Sequence, residues 1–193
     1  MAGRRPRGEL RIIGGQWRSR RVRFAVDQVR PTPDRVRQTT FDWLAPHIRG
    51  ARVVDLCAGS GAMGLEALSR GAAHAVFVDT GRAQIAAIRA ALTDLGGIDR
   101  AELVHGDAAG WLARAGDACD IAFVDPPFDH ALWSDILPRL AGRLAGVHRI
   151  YIEWPRTREP EFGVALDWHR RSHAAQVSYG LASLPPAPSG ERP

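Results

Sequence analysis

The residues best suited to chemistry follow an apolar run in the second half of the chain. Residues 121–124 read Ile-Ala-Phe-Val and are followed by Asp125, Pro126, Pro127 and Phe128. Such a run predicts a buried strand, which must end at two prolines because proline supplies no backbone N–H. The strand end would then offer a carboxylate, free carbonyl oxygens and a flat ring. This combination suits a planar group carrying an amine, such as a nucleobase, although Asp-Pro also occurs in ordinary turns.

A glycine-rich segment forms the second candidate site. Gly59, Gly61 and Gly64 give a G-x-G-x-x-G pattern, and Asp79 ends the next apolar run about 20 residues later. This pattern alone is typical of dinucleotide binding. Asp55 argues against a dinucleotide, because its carboxylate would lie where a pyrophosphate carries two negative charges. S-adenosylmethionine carries an ammonium and a sulfonium instead, so the sequence favours this methyl donor as the cofactor.

Positive charge is concentrated at the start of the chain. Residues 1–37 hold 11 arginines against 3 acids, whereas the remaining 156 residues hold 15 arginines against 18 acids. A basic arm on a mildly acidic body is typical of binding to a polyanion such as RNA. The alternative, a solvated tail, applies best to Arg4, Arg5 and Arg7. Arginines alternate with apolar residues between Arg11 and Arg23, which predicts a hairpin that turns at Gly14-Gly15.

The same arm carries a resemblance to a known family. Residues 11–18 read RIIGGQWR and residues 30–39 read RPTPDRVRQT. Together with the 55–61 loop, the 66–72 helix end and the 125–128 tetrapeptide, these segments resemble the bacterial 16S ribosomal RNA guanine-N2 methyltransferases. The resemblance extends from about residue 10 to residue 184.

The resemblance implies transfer of a methyl group from S-adenosylmethionine to the exocyclic N2 amine of a guanine in 16S rRNA. The partner would be the small ribosomal subunit or one of its assembly intermediates. The chain departs from the family pattern at Asp79, Thr80 and Ala91, where the family usually has Glu, a charged residue and Asn. Asp79 keeps a carboxylate for the ribose of the cofactor.

Strand-like and helical patterns alternate along the chain and predict an α/β protein. The predicted strands cover 52–57, 75–79, 102–105, 121–125 and 149–153, and the predicted helices cover 33–45, 62–70, 82–95, 108–114 and 131–144. Thr32 is a suitable N-cap for the first of these helices. Two later runs, 164–168 and 176–184, predict an added antiparallel pair. We therefore expect a Rossmann-like class I methyltransferase fold, with a mostly parallel, doubly wound sheet.

In such a sheet the acids that end successive strands converge at one edge, where ligands bind. We expect Asp55 near the ammonium of the donor, Asp79 on the ribose hydroxyls and the 59–61 turn against the methionine part. The predicted cofactor-binding residues are Asp55, Ala58, Gly59, Ser60, Gly61, Asp79, Thr80, Asp107 and Ala108, the last two at the adenine edge.

The predicted catalytic residues are Asp125, Pro126, Pro127 and Phe128. Asp125 and the Pro126 carbonyl would accept hydrogen bonds from the target amine, and Phe128 would stack on a base that has left its neighbours. The predicted RNA-binding residues are Arg11, Gly14, Gly15, Trp17, Arg18, Arg20, Arg21, Arg30, Thr32, Arg35 and Arg37.

Three residues keep an alternative interpretation. Gly64 fits close packing between a helix and a strand. Asp107 fits equally well as the N-cap of the helix that follows it. Glu66 lies inside a predicted helix and could be an ordinary surface charge.

Composition sets the broad class. At 193 residues and 45% hydrophobic content, the chain can bury a core as one domain with an appendage. No apolar run approaches about 18 residues, so we expect no membrane span. Cys57 and Cys119 are expected to be reduced core residues, and we expect no metal, a monomer and a cytoplasmic location. The predicted divisions are a flexible basic tail at 1–9, an RNA-binding hairpin and helix at 10–48, a catalytic domain at 49–184 and a disordered tail at 185–193. Deletion of residues 1–30 should then leave the sheet folded.

Two other functions are compatible with these motifs. The first is methylation of adenine N6 or another amine in RNA or DNA, because an acid before Pro-Pro serves related chemistry. The chain has no visible DNA target-recognition domain, which argues against a DNA enzyme. The second is a non-catalytic RNA-binding assembly factor with a methyltransferase fold, which the presence of Asp55, Asp79 and Asp125 makes less favourable.

Overall fold

The computed structural model describes residues 7–25, 32–114, 116, 118–128 and 132–185. The strands are β1 (Arg7–Arg11), β2 (Arg21–Ala25), β3 (Arg52–Asp55), β4 (His74–Asp79), β5 (Ala101–His105), β6 (Cys119–Val124), β7 (Leu144–Pro155), β8 (Asp167–Ala174) and β9 (Val177–Ser183). The helices are α1 (Asp34–Leu44), α2 (Ala62–Ser69), α3 (Arg82–Leu95), α4 (Ala108–Leu112) and α5 (Trp133–Leu140), with 3₁₀ turns at Ile98–Arg100 and Ala141–Arg143. None of the helices in these ranges has the length and hydropathy required to cross a membrane.

A seven-stranded sheet in the order β5-β4-β3-β6-β7-β9-β8 forms the centre of the molecule. The strands β3 to β7 pair with one another in parallel, and β9 runs antiparallel to both β7 and β8. Apolar side chains fill both faces, in one cluster beneath α1, α2 and α3 and another beneath α4 and α5. The predicted α/β fold class is confirmed. The chain leaves β3 in one direction and returns to its other side at β6, which creates a crevice at the carboxyl ends of these strands.

The C-terminal antiparallel pair is present, but one of its strands lies later in the chain than predicted. The sequence predicts a strand at 164–168, whereas β8 covers Asp167–Ala174. This segment reads DWHRRSHA and lies at the edge of the sheet, with β9 as its one strand neighbour. An edge strand can expose much of its length, so β8 lacks the apolar run that identifies the other strands.

The start of the chain forms the predicted hairpin, and Gly14 and Gly15 lie in the loop that joins its two strands. The strands β1 and β2 pair antiparallel, and Ile12 closes the hairpin by bonds to Arg20 and Ser19, each 2.9 Å long. Gly14 and Gly15 lie beyond this closure and contact the end of α2. The Ser69 hydroxyl donates to the Gly14 carbonyl oxygen at 2.6 Å. The two glycines therefore attach the hairpin to the main sheet.

Gly15 allows the closest approach at this contact. Its φ is +75°, and a Cβ there would lie 1.9 Å from the Ser69 carbonyl oxygen. The next residue, Gln16, donates its backbone N–H to that same oxygen at 2.7 Å. Glycine is required for two reasons. A side chain at this position would collide with fixed backbone atoms of Ser69, and the left-handed conformation of the residue itself disfavours any side chain.

A buried carboxylate holds the other side of the hairpin. Glu66 on α2 is fully buried and accepts the backbone N–H groups of Ile13 at 2.9 Å and Gly14 at 2.8 Å. Arg70 donates to it at 2.8 Å, and a nitrogen of Arg37 lies 3.5 Å away. The interpretation of Glu66 as a surface charge is wrong, because its carboxylate joins the hairpin, α1 and α2.

Arg37 is likewise committed to the interior. Its side chain is 1% exposed and donates to the Arg11 carbonyl oxygen at 2.9 Å and to Asp34 at 2.5 Å. Thr32 is also buried and is not the N-cap: α1 begins at Asp34, and Pro33 occupies the cap position without a side-chain bond.

The hairpin is part of the hydrophobic core rather than a detachable arm. Five of its apolar side chains are at most 5% exposed and belong to the cluster beneath α1, α2 and α3. They are Leu10, Ile12, Trp17, Val22 and Phe24. Deletion of residues 1–30 would remove all five, so the expectation that the sheet would stay folded is corrected. The predicted tail at 1–9 also overlaps β1, which begins at Arg7; residues 1–6 and 186–193 lie outside the described residues.

Gly15→Ala should therefore destabilise the protein far more than Gly50→Ala. Both glycines have nearly the same φ, +75° and +77°, but nothing lies within 4 Å of a Cβ at position 50. Each substitution incurs about 1–2 kcal/mol for the left-handed conformation. Gly15→Ala should add at least about 2 kcal/mol because it displaces the hairpin from α2. Urea unfolding of both variants measures the difference, and equal losses of stability would contradict this account of the hairpin attachment.

Candidate functional site

Three acids meet at the carboxyl edge of the sheet. Asp55 ends β3, Asp79 ends β4 and Asp125 follows β6, and β3 pairs with both of the other strands. All three carboxylates contribute, after burial, to raising the pKa of the Cys57 thiol. The structure thus brings together the acids that the sequence places at the ends of separate strands.

The turn after β3 is tight and is tied to β4. Gly59 and Gly61 have φ values of +52° and +75°, and the Gly61 N–H donates to the Ala58 carbonyl oxygen at 2.6 Å. One oxygen of Asp79 accepts the Gly59 N–H and the other accepts the Gly81 N–H, both at 2.7 Å. Each carboxylate oxygen has a further lone pair, so Asp79 can still accept the hydroxyls of a ligand.

Gly64 is explained by packing. A Cβ there would lie 2.2 Å from the Phe77 ring on β4, so α2 can approach the sheet only because this residue is glycine. Its backbone N–H donates to Asp55 at 3.2 Å. The packing interpretation of Gly64 is the one that the structure supports.

Asp55 is a buried acid without a counterion among the described residues. Its side chain is 4% exposed. Burial raises its pKa to about 7, with a further contribution from Asp79, while the Gly64 N–H acts in the opposite direction. A cation beside Asp55 would favour the ionised form. The acid therefore fits the ammonium of an amino acid moiety, in a turn where Ala58 and Ser60 are also buried.

The remaining predicted cofactor residues lie around the same edge. Asp107 caps α4 through a 2.7 Å bond from the Gly110 N–H, so its N-cap role is observed. Ala108 is buried behind it. Thr80 is exposed, and its carbonyl oxygen lies 3.0 Å from a ring nitrogen of His105.

The Asp125 to Phe128 segment directly follows the last residue of β6. Asp125 is partly buried and Pro126 is buried, whereas the Phe128 ring is 42% exposed. Phe128 stacks on Trp133 of α5, with ring centroids 6.2 Å apart and planes inclined by 28°. Trp133 is itself fixed by a 3.0 Å bond from its ring nitrogen to the Glu153 carbonyl oxygen. An aromatic ring is therefore held at the surface beside a carboxyl group.

Sequence reasoning missed Glu153 on β7. Its side chain is 4% exposed and accepts a 2.6 Å bond from the Tyr151 hydroxyl. Burial raises the pKa of Asp125 well above its usual range, and the charges of Glu153 and Asp55 raise it further. The available signal was an acid that ends the apolar run Ile150-Tyr151-Ile152, the same pattern that identified Asp125.

The predicted RNA-binding residues divide into two groups. The exposed members are Arg11, Arg18, Arg20, Arg21 and Arg35. The members occupied by internal contacts are Gly14, Gly15, Trp17, Thr32 and Arg37. Trp17, Thr32 and Arg37 are withdrawn as direct RNA contacts because they are buried. Gly14 and Gly15 keep exposed surface beside their internal contacts and remain predicted RNA contacts. Arg30 lies outside the described residues.

No cluster of three or more His, Cys, Asp or Glu side chains arranged to hold a metal ion occurs in the described part of the chain. Cys57 and Cys119 are free thiols. Burial raises the pKa of Cys119 to about 11, so this thiol is protonated at neutral pH.

The strand order, the antiparallel β9 and the acids at the carboxyl ends define a class I methyltransferase fold. A solved Thermus thermophilus 16S rRNA N2 G1207 methyltransferase, in complex with AdoMet and guanosine, shares this fold with a TM-score of 0.71 and 20% identity, covering 93% of this chain and 50% of that one. The structure of yhhF from Escherichia coli gives a TM-score of 0.83 and 41% identity, covering 92% of this chain and 98% of that one.

Residues 10–182 match the family described as Conserved hypothetical protein 95. The Escherichia coli protein named Ribosomal RNA small subunit methyltransferase D is 43% identical over 182 residues, which cover 90% of this chain and 89% of that protein. The chain therefore belongs to this family of small-subunit ribosomal RNA methyltransferases, as the resemblance of its sequence motifs predicts.

The burial of Asp55 predicts how the folding stability of the protein depends on pH. The folded protein holds the Asp55 proton up to about pH 7, whereas the unfolded chain releases it near the ordinary value of 3.8. The folded state therefore binds more protons between these values, and Asp55 lowers stability as the pH rises through this window. Asp55→Asn keeps an acceptor for the Gly64 N–H and removes this loss. We expect the variant to gain on the order of 4 kcal/mol over the wild type at pH 8.

Urea unfolding of the two ligand-free proteins at pH 4.5, 6 and 8 measures this effect. The difference between them should shrink as the pH falls towards 4. Parallel pH profiles for wild type and variant would show that Asp55 ionises normally in the folded protein.

Proposed function

We propose that this chain is an S-adenosylmethionine-dependent methyltransferase that acts on the exocyclic N2 amine of a guanine in 16S rRNA of the small ribosomal subunit. The observation that carries the proposal is the juxtaposition of Asp125 and the exposed Phe128 ring with the acids around the glycine turn. Family membership supports the RNA substrate, because the Escherichia coli relative is named for the small-subunit ribosomal RNA.

The donor site follows from the charges and turns described above. Asp55 would bind the ammonium of the donor, the turn from Gly59 to Gly61 would contact its methionine part, and Asp79 would accept the ribose hydroxyls. The side of α4 that begins at Asp107 and Ala108 would border the adenine. S-adenosylmethionine supplies a methyl group that its sulfonium has already activated.

The acceptor site needs alignment more than a strong base. A guanine N2 amine shares its lone pair with the ring and is a weak nucleophile. Asp125 and the Pro126 carbonyl would accept hydrogen bonds from this amine and direct its lone pair towards the methyl carbon. Holding the two reactants in line can remove about 7–11 kcal/mol of the barrier to such a reaction.

Phe128 gives the target base a surface on which to stack. Its ring is held by Trp133 but remains 42% exposed, so one face is accessible. A base inside folded RNA must leave its neighbours to reach an enzymatic pocket, and stacking on an aromatic ring offsets part of that cost.

The hairpin supplies positive charge on the face that carries α1 and α2. Its exposed arginines include Arg11, Arg18, Arg20 and Arg21, and Arg35 lies on α1. Arg11 lies 3.7 Å from Asp34, and Arg21 lies 2.7 Å from Glu9. Arginine can bind phosphates in a forked geometry, so this surface suits the backbone of ribosomal RNA.

Asp125→Ala tests the catalytic assignment. The variant should lose at least about two orders of magnitude in methyl transfer to small subunits that lack the modification, because the group that positions the amine is gone. Calorimetry should show little change in donor affinity. Digestion of the wild-type product and mass spectrometry should identify N2-methylguanosine, whereas N6-methyladenosine would contradict the proposed substrate.

The matched control is Asp135→Ala, which removes an acid of α5 that bonds Arg139 near the surface. This variant should retain nearly normal turnover. Near-normal turnover by Asp125→Ala would eliminate the proposed acceptor site.

Replacing Arg18 and Arg35 with glutamine tests the RNA surface without removing core residues. The salt dependence of binding to small subunits should flatten, with the logarithmic slope falling by roughly 0.7 to 0.9 for each phosphate that the variant no longer neutralises. Arg114→Gln with Arg139→Gln is the control, because these arginines follow or belong to the helices on the opposite face of the sheet. Equal slopes for the two double variants would exclude the hairpin face as the RNA-binding surface.

A further inference from the structure

Glu153 and Asp125 are neighbours at the ends of two paired strands. The parallel register of β6 and β7 runs through Phe123 with Tyr151 and Val124 with Ile152. Asp125 and Glu153 come next on their strands, and neighbouring strands are about 4.8 Å apart. Alternation along a strand places both acids on the face of Phe123 and Tyr151. Neither carboxyl forms an ion pair within the described ranges, and the charge of Glu153 acts on the pKa of Asp125, as expected of neighbouring strand ends.

Tyr151 distinguishes the two acids. This side chain is fully buried, and its hydroxyl donates a 2.6 Å bond to Glu153. Burial raises the pKa of Glu153, and the bond from Tyr151 opposes that rise. Among the described residues no comparable donor lowers the pKa of Asp125, which burial, Glu153 and Asp55 all raise. The bond from Tyr151 therefore favours the negative charge of the pair on Glu153 and the proton on Asp125.

The surroundings contain few other groups able to change this balance. The titratable and polar groups around the pair are Asp55 at the end of β3, the Cys57 thiol that follows it, and Tyr151 and Tyr179 of β7 and β9. The Thr40 hydroxyl of α1 acts on Tyr151. Trp133 of α5 bonds the carbonyl of Glu153 and not its carboxylate. The bond from Tyr151 is therefore the main local feature that favours charge on Glu153.

We propose that Glu153 is a positioning residue that receives, through Asp125, the proton released by the methylated amine. The inference rests on the methyl transfer proposed above. As the lone pair of N2 bonds the methyl carbon, the carbon–sulfur bond breaks and its electrons remain on sulfur as a thioether. As positive charge develops on N2 during this transfer, N2 gives its proton to the Asp125 oxygen that it faces, and Asp125 passes the proton it held to Glu153, so the rate of transfer depends on the ionisation of Glu153. N2 keeps the electron pair, and the carboxyl pair returns one proton to solvent after product release.

Single-turnover rates across a pH series test this role. They are measured with saturating donor on small subunits that lack the modification. In the wild type, the rate should rise with pH on the acid side of the pH–rate profile, the acid limb, as Glu153 ionises. In Glu153→Gln, the acid limb should move to higher pH by at least about one unit, because Asp125 must then lose its own proton before it can accept another.

Tyr151→Phe keeps both carboxyls and removes only the bond to Glu153. Its acid limb should also move to higher pH, by about half a unit, because Glu153 loses a group that favours its charge. Tyr179→Phe is the control: this ring belongs to the same aromatic group, 6.2 Å from Tyr151, but does not bond Glu153. Its acid limb should not move.

If the rate of Glu153→Gln falls by the same factor at every pH and its acid limb does not move, Glu153 has a structural role only. A limb that moves to lower pH in Glu153→Gln would overturn the proposal in another way, by making Asp125 the sole proton acceptor. If Glu153→Gln fails to fold, Tyr151→Phe decides. An inactive wild type would refute the proposed function itself, whereas an active wild type with unmoved limbs refutes only the role of Glu153.

Discussion

The carboxylate of Glu66 is the constraint on which the arrangement of the first half of the chain depends. A buried charge is unfavourable unless its oxygens are bonded, and Glu66 meets this requirement with two backbone N–H groups and two arginines. These partners come from the hairpin, α1 and α2, so the acid sets the relative positions of three elements. The position of α1 in turn matters for the site, because Phe41 on α1 packs 5.9 Å from Phe123 on β6. Phe123 lies two residues before Asp125.

The site itself concentrates acids with few compensating charges. Burial raises the pKa of Asp55, Asp125 and Glu153 alike, and the charge of Asp55 adds to the rise at Asp125. Such a cluster opposes folding, which is a common property of functional sites. A cationic donor would relieve the repulsion by favouring the ionised forms. Strong binding of a cation and low stability of the empty site therefore have the same physical origin.

The sheet and the edge where the acids meet are predictable from the sequence because they depend on local patterns. Asp55, Asp79 and Asp125 each end an apolar run, and parallel strands that alternate with helices place such ends together. The burial of Glu66 and Arg37 is not predictable in this way, since it depends on partners many residues away and a helical pattern does not distinguish a buried charge from an exposed one. Paired glycines usually make a turn, which is why the sequence predicts one at Gly14-Gly15. The structure uses Gly15 for close approach to Ser69, a contact that only the tertiary structure reveals.

The hairpin contacts also constrain the order in which the protein can fold during its synthesis. The bonds from Ile13 and Gly14 to Glu66 join residues 53 and 52 positions apart. The hairpin leaves the ribosome before α2 and must wait for it, and until then Leu10, Ile12, Trp17, Val22 and Phe24 lack the partners that bury them. At about 5 to 20 residues per second, this interval lasts several seconds. The nascent hairpin is thus an exposed apolar surface during translation, and substitutions that weaken its attachment should lower the yield of folded protein before they alter any property of the finished molecule.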